Sequence, residues 1–248
     1  METILEIKNL CHTYHTTEGE TPALHHINLH MKTGEFISIV GPSGCGKSTL
    51  LSLVSGLIKP KENTVLFHGK RMGYMLQKDH LLEWRTIYQN IILGLEIQHL
   101  ITPETKQMVQ NYLQQYGLAE FASAKPSQLS GGMRQRVALI RTLVLEPDLL
   151  LLDEPFSALD YQTRLTVSDD IGQIIRREKR SALLVTHDLS EAISLGDRVI
   201  VLSKRPATIQ KEIVMDFHLE EDTPLHRRNA PEFKNYFNLL WKELNGYE

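Results

Sequence analysis

Residues Gly41, Pro42, Ser43, Gly44, Cys45, Gly46, Lys47, Ser48 and Thr49 read GPSGCGKST, which fits the spacing G-x-x-x-x-G-K-[ST] with no mismatch. That pattern marks loops whose glycines let successive backbone N–H groups turn inward around phosphate oxygens. Lys47 is placed to reach a β/γ-phosphate, and the Ser48 hydroxyl to hold Mg²⁺. A helix starting near Lys47 would add the positive end of its dipole to the same nest. Further along, LLLLDE at 149–154 ends an apolar run on two adjacent carboxylates, Asp153 and Glu154. In a phosphoryl-transfer site the first suits the grip on the metal, and the second can orient or deprotonate an attacking water. Gln77 offers an amide carbonyl to the same metal and a contact that senses the γ-phosphate. His187 is one of eleven histidines, so only its place after a buried-strand pattern singles it out. There it can touch the γ-phosphate and hold the water.

Such side chains need rigid elements behind them. FISIV at 36–40 is β-branched and apolar and reads as a buried strand, while LLSLV at 50–54 has helical spacing with Gly56 as its stop. Strand, glycine loop and helix in that order make the pattern specific for a nucleoside triphosphate. Before it, 4–10 alternates like a half-exposed strand, 24–29 and 65–67 read as strands, and 16–22 as a polar turn. Residues 71–76 read as a strand leading into Gln77. From there to about 146 the pattern turns helical. Pro103 opens one helix, Val109, Tyr112, Leu113 and Tyr116 line its face, and Gly117 ends it. Residues 131–145 read as another helix.

The leucine run 149–152 is the mark of a strand covered on both faces. A helix over 161–178, strands at 183–186 and 199–202, and an edge strand at 207–214 complete the alternation. That order predicts an α/β fold with a parallel sheet and ligands at the carboxyl ends of its strands. The charged, proline-punctuated segment 216–231 reads as a connector. A last helix from about 232 puts Phe233, Tyr236, Phe237, Leu240, Trp241 and Leu244 on one face. It reads as packing on its own domain, because a membrane-surface helix would carry more lysine and arginine opposite.

Composition bounds the rest. With 248 residues, 42% hydrophobic and 23% charged, the chain can bury a sizeable core in one large domain. A net charge of −3 supplies no global field for nucleic acid, and no nucleic-acid partner is expected. No run approaches eighteen apolar residues and METILEIKNL lacks a signal-peptide pattern, so any membrane role is expected through a partner. The two cysteines, Cys11 and Cys45, form no disulfide framework, which points to a reducing compartment. A helix N-terminus would make the Cys45 thiol reactive; the plainer reading is a space-filling side chain. Tyr14 can stack on a base or pack on the sheet, and a lone tyrosine favours packing.

One stretch goes beyond a single phosphate site. In LSGGMRQR at 129–136, Ser130, Gly131 and Gly132 open a helix and form a second anion-binding N-terminus. One nucleotide needs only one such cradle. If both serve ATP, the second reaches it from across a dimer interface.

The ordered set, GPSGCGKST, LSGGMRQR, then LLLLDEP, resembles the ATP-binding cassette (ABC) transporter ATPases from residue 1 to about 214. The resemblance implies a P-loop NTPase, a RecA-like core with an antiparallel β-subdomain and an inserted helical subdomain at about 77–146. The ATPase domain would span 1–215, and 216–248 would be a connector with an amphipathic helix. By the same likeness Tyr14 stacks on adenine, Gln77 is the Q-loop glutamine, Asp153 serves Mg²⁺ and Glu154 is the catalytic base. Ser157, Ala158, Leu159 and Asp160 match the loop that crosses the dimer, and His187 the switch histidine. Two copies would sandwich ATP and drive transmembrane permease subunits from the cytoplasmic face of the membrane.

Leu81-Leu82-Glu83-Trp84-Arg85-Thr86 resembles the nitrate/sulfonate/taurine-type importers, which also use an extracytoplasmic substrate-binding protein. The sequence departs from them at Glu83, where proline is usual, and Asn63, where glycine is usual. The alternatives are an ABC exporter motor and a soluble non-transport ABC ATPase. Repair types of the latter carry a long coiled coil and translation types two cassettes, and neither is present. A non-hydrolysing scaffold would lack Glu154 or His187.

Overall fold

The computed structural model describes residues 2–17 and 19–246. Strand β3 (Phe36–Val40) is buried at every position, as its β-branched sequence requires. On either side of it run β7 (Ser181–Val185) and β8 (Arg198–Leu202), both parallel to it. Outward from β7 come β6 (Leu149–Asp153) and β5 (Met72–Met75), also parallel; outward from β8 comes antiparallel β9 (Ile209–Val214). Four parallel strands buried end to end read as apolar runs instead of alternating ones, since helices cover both faces.

Register is what gathers the chemistry. Ile39 pairs with Val185, and Val185 with Asp153. One row of the sheet therefore ends together, and the residues after it (Val40, Thr186, Glu154) lie along a single edge, with Gly41 next in the chain. Met75 pairs with Leu152, which brings the chain toward Gln77 to that same edge.

A second, antiparallel sheet holds β1 (Thr3–Thr16), β2 (Gly19–Lys32) and β4 (Val65–Phe67) in the order β2-β1-β4. This corrects the reading of 16–22 as a turn and of 24–29 as a short strand. β1 and β2 are 14 residues each and stay paired out to Thr16 with Gly19. Their polar outer halves carry no apolar alternation, and backbone ladder bonds, blind to side-chain type, extend the ribbon beyond it.

Between β5 and β6 lie α2 (Ile87–Ile91), α3 (Leu93–Ile97), α4 (Pro103–Gln115) and α5 (Gly131–Leu143). Thr102 caps α4 with Pro103 in its first turn, and Val109, Tyr112 and Leu113 are its buried face. A single apolar cluster joins these helices to the β6 face through residues such as Val137, Ile140, Leu150 and Phe156. Each such side chain contributes about 1.5–3 kcal/mol by leaving water.

After β6 come α6 (Tyr161–Arg177) and α7 (Leu189–Leu195); beyond β9, α8 (Pro224–Asn229) and α9 (Pro231–Asn245). Helix α8 corrects the reading of 216–231 as plain connector. Thr223 caps it and Pro224 starts it, so the proline that looked like punctuation sits where its missing N–H is harmless. Its Arg227 is buried, bonded to Gly196 O and to Asp222. On α9, Phe233, Tyr236, Phe237, Leu240 and Leu244 face α7 and β8, but Trp241 is 58% exposed. It stacks on Phe237 at the outer margin of the stripe, where only one ring face can be covered. The outer limits of the expected 1–215 and 216–248 spans, at 1 and 247–248, lie outside the described residues. Among those described, no helix is long and apolar enough to cross a membrane.

Candidate functional site

Helix α1 (Lys47–Val54) begins where β3 releases the chain, and the six residues between them wrap its N-terminus. Gly44 has φ +72° and Gly46 φ +124°, conformations that L side chains rarely adopt. At Gly46 a Cβ would also lie 2.9 Å from Leu24 and 3.2 Å from the Ala23 carbonyl, so glycine is required twice over. Pro42 and Ser43 complete the turn. Lys47 is buried, and its Nζ donates to the carbonyls of Gly41 (2.8 Å) and Pro42 (3.0 Å). Two of the three ammonium hydrogens are thus used to hold the loop, and one remains for an anion. Cys45 is buried, which pushes its thiol up despite the Lys47 charge beside it. That decides for a space-filling side chain. Cys45 and Cys11 are both free.

Ser48 Oγ donates to Asp153 Oδ1 at 3.0 Å, joining α1 to the end of β6. Burial pushes the Asp153 carboxyl up; the Ser48 bond opposes this and the Glu154 charge adds to it. Tyr74, on β5 next to β6, donates its hydroxyl to Asp153 Oδ2 at 3.4 Å, and its own pKa is pushed up to about 12, chiefly by burial. Among the described residues no group of three or more His, Cys, Asp or Glu side chains gathers as a metal site. A hydroxyl and a carboxylate together fit one side of a Mg²⁺ shell, since that ion is held by one or two protein oxygens plus substrate phosphates.

Glu154 stands at the centre of the edge. Its φ of +45° is left-handed, a costly conformation for a residue with a Cβ, and its N–H donates to Val185 O at 2.8 Å. The turn aims its carboxylate away from β6. His187 Nδ1 meets Glu154 Oε2 at 3.1 Å, and Gln77 Nε2 lies 3.4 Å from the same oxygen and 3.3 Å from Ser157 Oγ. Three loops, those following β5, β6 and β7, thereby converge on one carboxylate. Tyr14 is 39% exposed, its hydroxyl bonds Thr49 Oγ1 of α1 at 3.1 Å, and its ring meets His12 edge to face.

The second helix terminus lies elsewhere. Ser130 caps α5, accepting from Met133 N at 3.3 Å. Gly132 lets α5 and α6 approach, since a Cβ there would meet Thr163 at 2.9 Å and Val167 at 3.0 Å. Beside it a cleft of about 270 Å³ is lined by Ser130, Gly132, Met133, Arg136 and Thr163. Asp160 caps α6, and the bonds from Thr163 hold its carboxyl below the usual range. Helix α5 packs on α2, α3, α4, α6 and β5. Among the described residues no hydrogen bond joins Ser130, Gly131 or Gly132 to residues 41–49.

Sequence reasoning overlooked four groups. Tyr74 gives no motif signal. Asp79 takes the Nε (2.8 Å) and a terminal nitrogen (3.2 Å) of Arg134, whose other contact is Glu83 at 2.9 Å. Burial works against the Asp79 charge, but the Arg134 bonds, the Leu81 N–H and the Arg141 charge hold its carboxyl low. Asn90, fully buried, bonds both ends of the 82–86 turn and leaves Trp84 74% exposed. The fourth lies around Arg164 and Glu191, whose Nε and Oε1 are 3.9 Å apart.

A mostly parallel sheet with a glycine loop after its central strand and a carboxylate pair at the end of the strand two places away defines a P-loop nucleoside triphosphatase. The family profile described as ABC transporter matches residues 24–157. An uncharacterized ABC transporter ATP-binding protein of Bacillus subtilis, YtlC, is 42% identical over 98% of this chain and 96% of that protein. The nitrate import ATP-binding protein NrtD of Synechocystis is 41% identical over 98% of this chain and 96% of its own. Among solved structures, a dimeric post-hydrolysis state of the ATP-binding cassette MJ0796 bound to ADP and Pi superposes with a TM-score of 0.74. It is 30% identical and covers 86% of this chain and 99% of its own. The chain belongs to the ATP-binding subunits of the ABC transporters, a family of ATPases that hydrolyse ATP to drive transport.

Proposed function

We propose that the chain is the motor of a membrane importer for nitrate-, sulfonate- or taurine-like small solutes. It works as a pair of copies on the cytoplasmic face, bound to permease subunits that an extracytoplasmic binding protein supplies. The convergence of Gln77 and His187 on Glu154, beside Lys47 and the Ser48–Asp153 pair, carries the hydrolytic part of this reading. Likeness to NrtD along nearly the whole chain supports the direction and the substrate class.

In this reading the N–H groups of residues 41–49 and the free Lys47 hydrogen take the β/γ-phosphates, and the Tyr14 ring stacks on adenine. Mg²⁺, when bound, neutralises charge on the phosphate oxygens, held by Ser48 with Asp153 and Gln77 around it. Glu154 Oε2 accepts the proton of the attacking water, and the imidazole of His187 fixes that carboxylate and faces the γ-phosphate. Ser130, Gly131 and Gly132 of the second copy, with its Asp160 loop, close over the nucleotide and exclude water. Residues 1–215 act as the ATPase unit. Within it 77–146 is the arm that carries the second nest; outside it, in the 216–248 segment, α8 and α9 cover the α7 side of the core.

Uptake decides it. Cells whose own copy is deleted should lose entry of labelled nitrate, sulfonate or taurine, and regain it with the parent chain but not with Glu154→Gln. Unchanged uptake together with retention of a compound the parent expels would replace import by export.

A further inference from the structure

Asp160 and His187 belong to different loops, and something must keep the two in step. The 157–160 loop feeds α6, and residues 186–188 lead into α7. Arg164, on the first turns of α6, donates to Leu159 O at 3.0 Å and to Asp188 Oδ2 at 3.3 Å. Its Nε is buried with no hydrogen-bond partner, and the nearest carboxylate oxygen is Glu191 Oε1 at 3.9 Å. Glu191, only 5% exposed, accepts from the Thr186 hydroxyl at 2.6 Å. That hydroxyl oxygen in turn accepts from Asp188 N at 3.0 Å. Residues Thr186 and Asp188, on either side of His187, are thus both pinned to one carboxylate–guanidinium pair, of which the carboxylate is buried.

We propose that Glu191 and Arg164 are positioning residues for hydrolysis: the pair sets the loop bearing His187 and the loop ending at Asp160 in one register. The proposal rests on the reading of Glu154 and His187 given above. Neither residue touches the nucleotide. Glu191 acts through Thr186, and Arg164 acts through the Leu159 carbonyl and Asp188.

The charge on Glu191 is the adjustable part. Burial pushes its pKa up to about 7; the Thr186 bond lowers it, the Asp188 charge raises it, and the Arg164 and Arg228 charges lower it. Arg228 comes from α8 and is bonded to Asp169 and Ser168 of α6. On its other side α7 packs through Leu189, Ala192 and Ile193 against Val40, Val199 and Leu240, which bring no charge. Ionised, Glu191 attracts Arg164 and holds the Thr186 hydroxyl; protonated, it loses the ion pair and the register slackens.

The test is steady-state MgATP hydrolysis by the full chain from pH 6 to 8.5, parent against Glu191→Gln. The variant keeps the side chain's shape and the Thr186 acceptor, and it fixes the neutral form. The ratio of parent to variant kcat is expected to rise from near one at pH 6 to about tenfold at pH 8.5, with KM for ATP unchanged. Titration of ATP is common to both proteins and cancels in the ratio. Thr186→Val removes a bond that favours the ionised form, so its midpoint moves to higher pH. A ratio independent of pH, or a change confined to KM, overturns the proposal. Glu154→Gln serves as the control: if it turns over at the parent rate, the hydrolytic reading has failed, whatever Glu191 does.

Discussion

Two glycine-bearing helix termini in this chain are built in opposite ways. At α1 every partner lies within the same chain: Lys47 is anchored on Gly41 and Pro42, Ser48 on Asp153, and Glu154 lies one residue further on. At α5 the cap is as good locally, yet the groups around Ser130 and Gly132 are its own helices and an open cleft. The first terminus has the Asp153 carboxylate of β6 beside it in its own chain. Among the described residues the second has none, as the proposed site completed by a second copy requires.

Substitutions should separate the halves. Lys47→Ala removes the buried cation and should weaken ATP binding by about 100-fold, read by equilibrium binding of a fluorescent ATP analogue. Unaltered affinity would mean that the first terminus is not the phosphate cradle. Glu154→Gln should lower kcat by on the order of 10²–10⁴ while ATP stays bound, and sedimentation should reveal a stable dimer. A variant that stays monomeric when loaded with MgATP, even at high concentration, would break the comparison itself.

Ser130→Arg should leave binding by its own α1 terminus intact and impair hydrolysis at the other copy's nucleotide. In dimers mixed with Lys47→Ala, one composite site carries both lesions and the other neither, so about half the parent activity per dimer is expected from independent sites. Equal inactivity of mixed and doubly mutated dimers would place the two nests in the same chain's site. Tyr14→Ala should cost about 0.5–1.5 kcal/mol, about a two- to twelvefold rise in Kd, with kcat at saturation preserved.

A separate effect is that of pH on stability. The Glu191 carboxyl titrates near 4.5 unfolded and at about 7 folded, so protonation favours the fold. Its contribution is complete below about pH 4.5 and is lost as pH rises through 7. Glu191→Gln should therefore gain on the order of 2 kcal/mol relative to parent between pH 5 and 8, seen as a difference in Tm. Parallel Tm curves for the two proteins would remove Glu191 as a buried titrating group.

Much of the cis half was legible because its residues are contiguous or follow strand patterns. Gly41 to Thr49 is a local structure whose backbone demands spell themselves, with Gly44 and Gly46 at positive φ. Asp153, Glu154 and His187 could be placed because apolar runs end beside them and parallel strands end together. The hairpin β1–β2 escaped notice because long polar strands depend on pairing, which periodicity does not register. So did α8, held by Arg227 against residues about thirty positions away.

What the sequence alone determined is the cradle and the identity of its neighbours, since local backbone preference and strand-end order need no distant information. Only the tertiary structure decided that Gln77 and His187 meet on one oxygen of Glu154, that Tyr74 bears on Asp153, and that Arg164 and Glu191 tie two loops together. Those contacts join residues far apart in the chain. Side-chain charge and hydrogen-bonding reach act through space, and space is set by sheet register and helix packing.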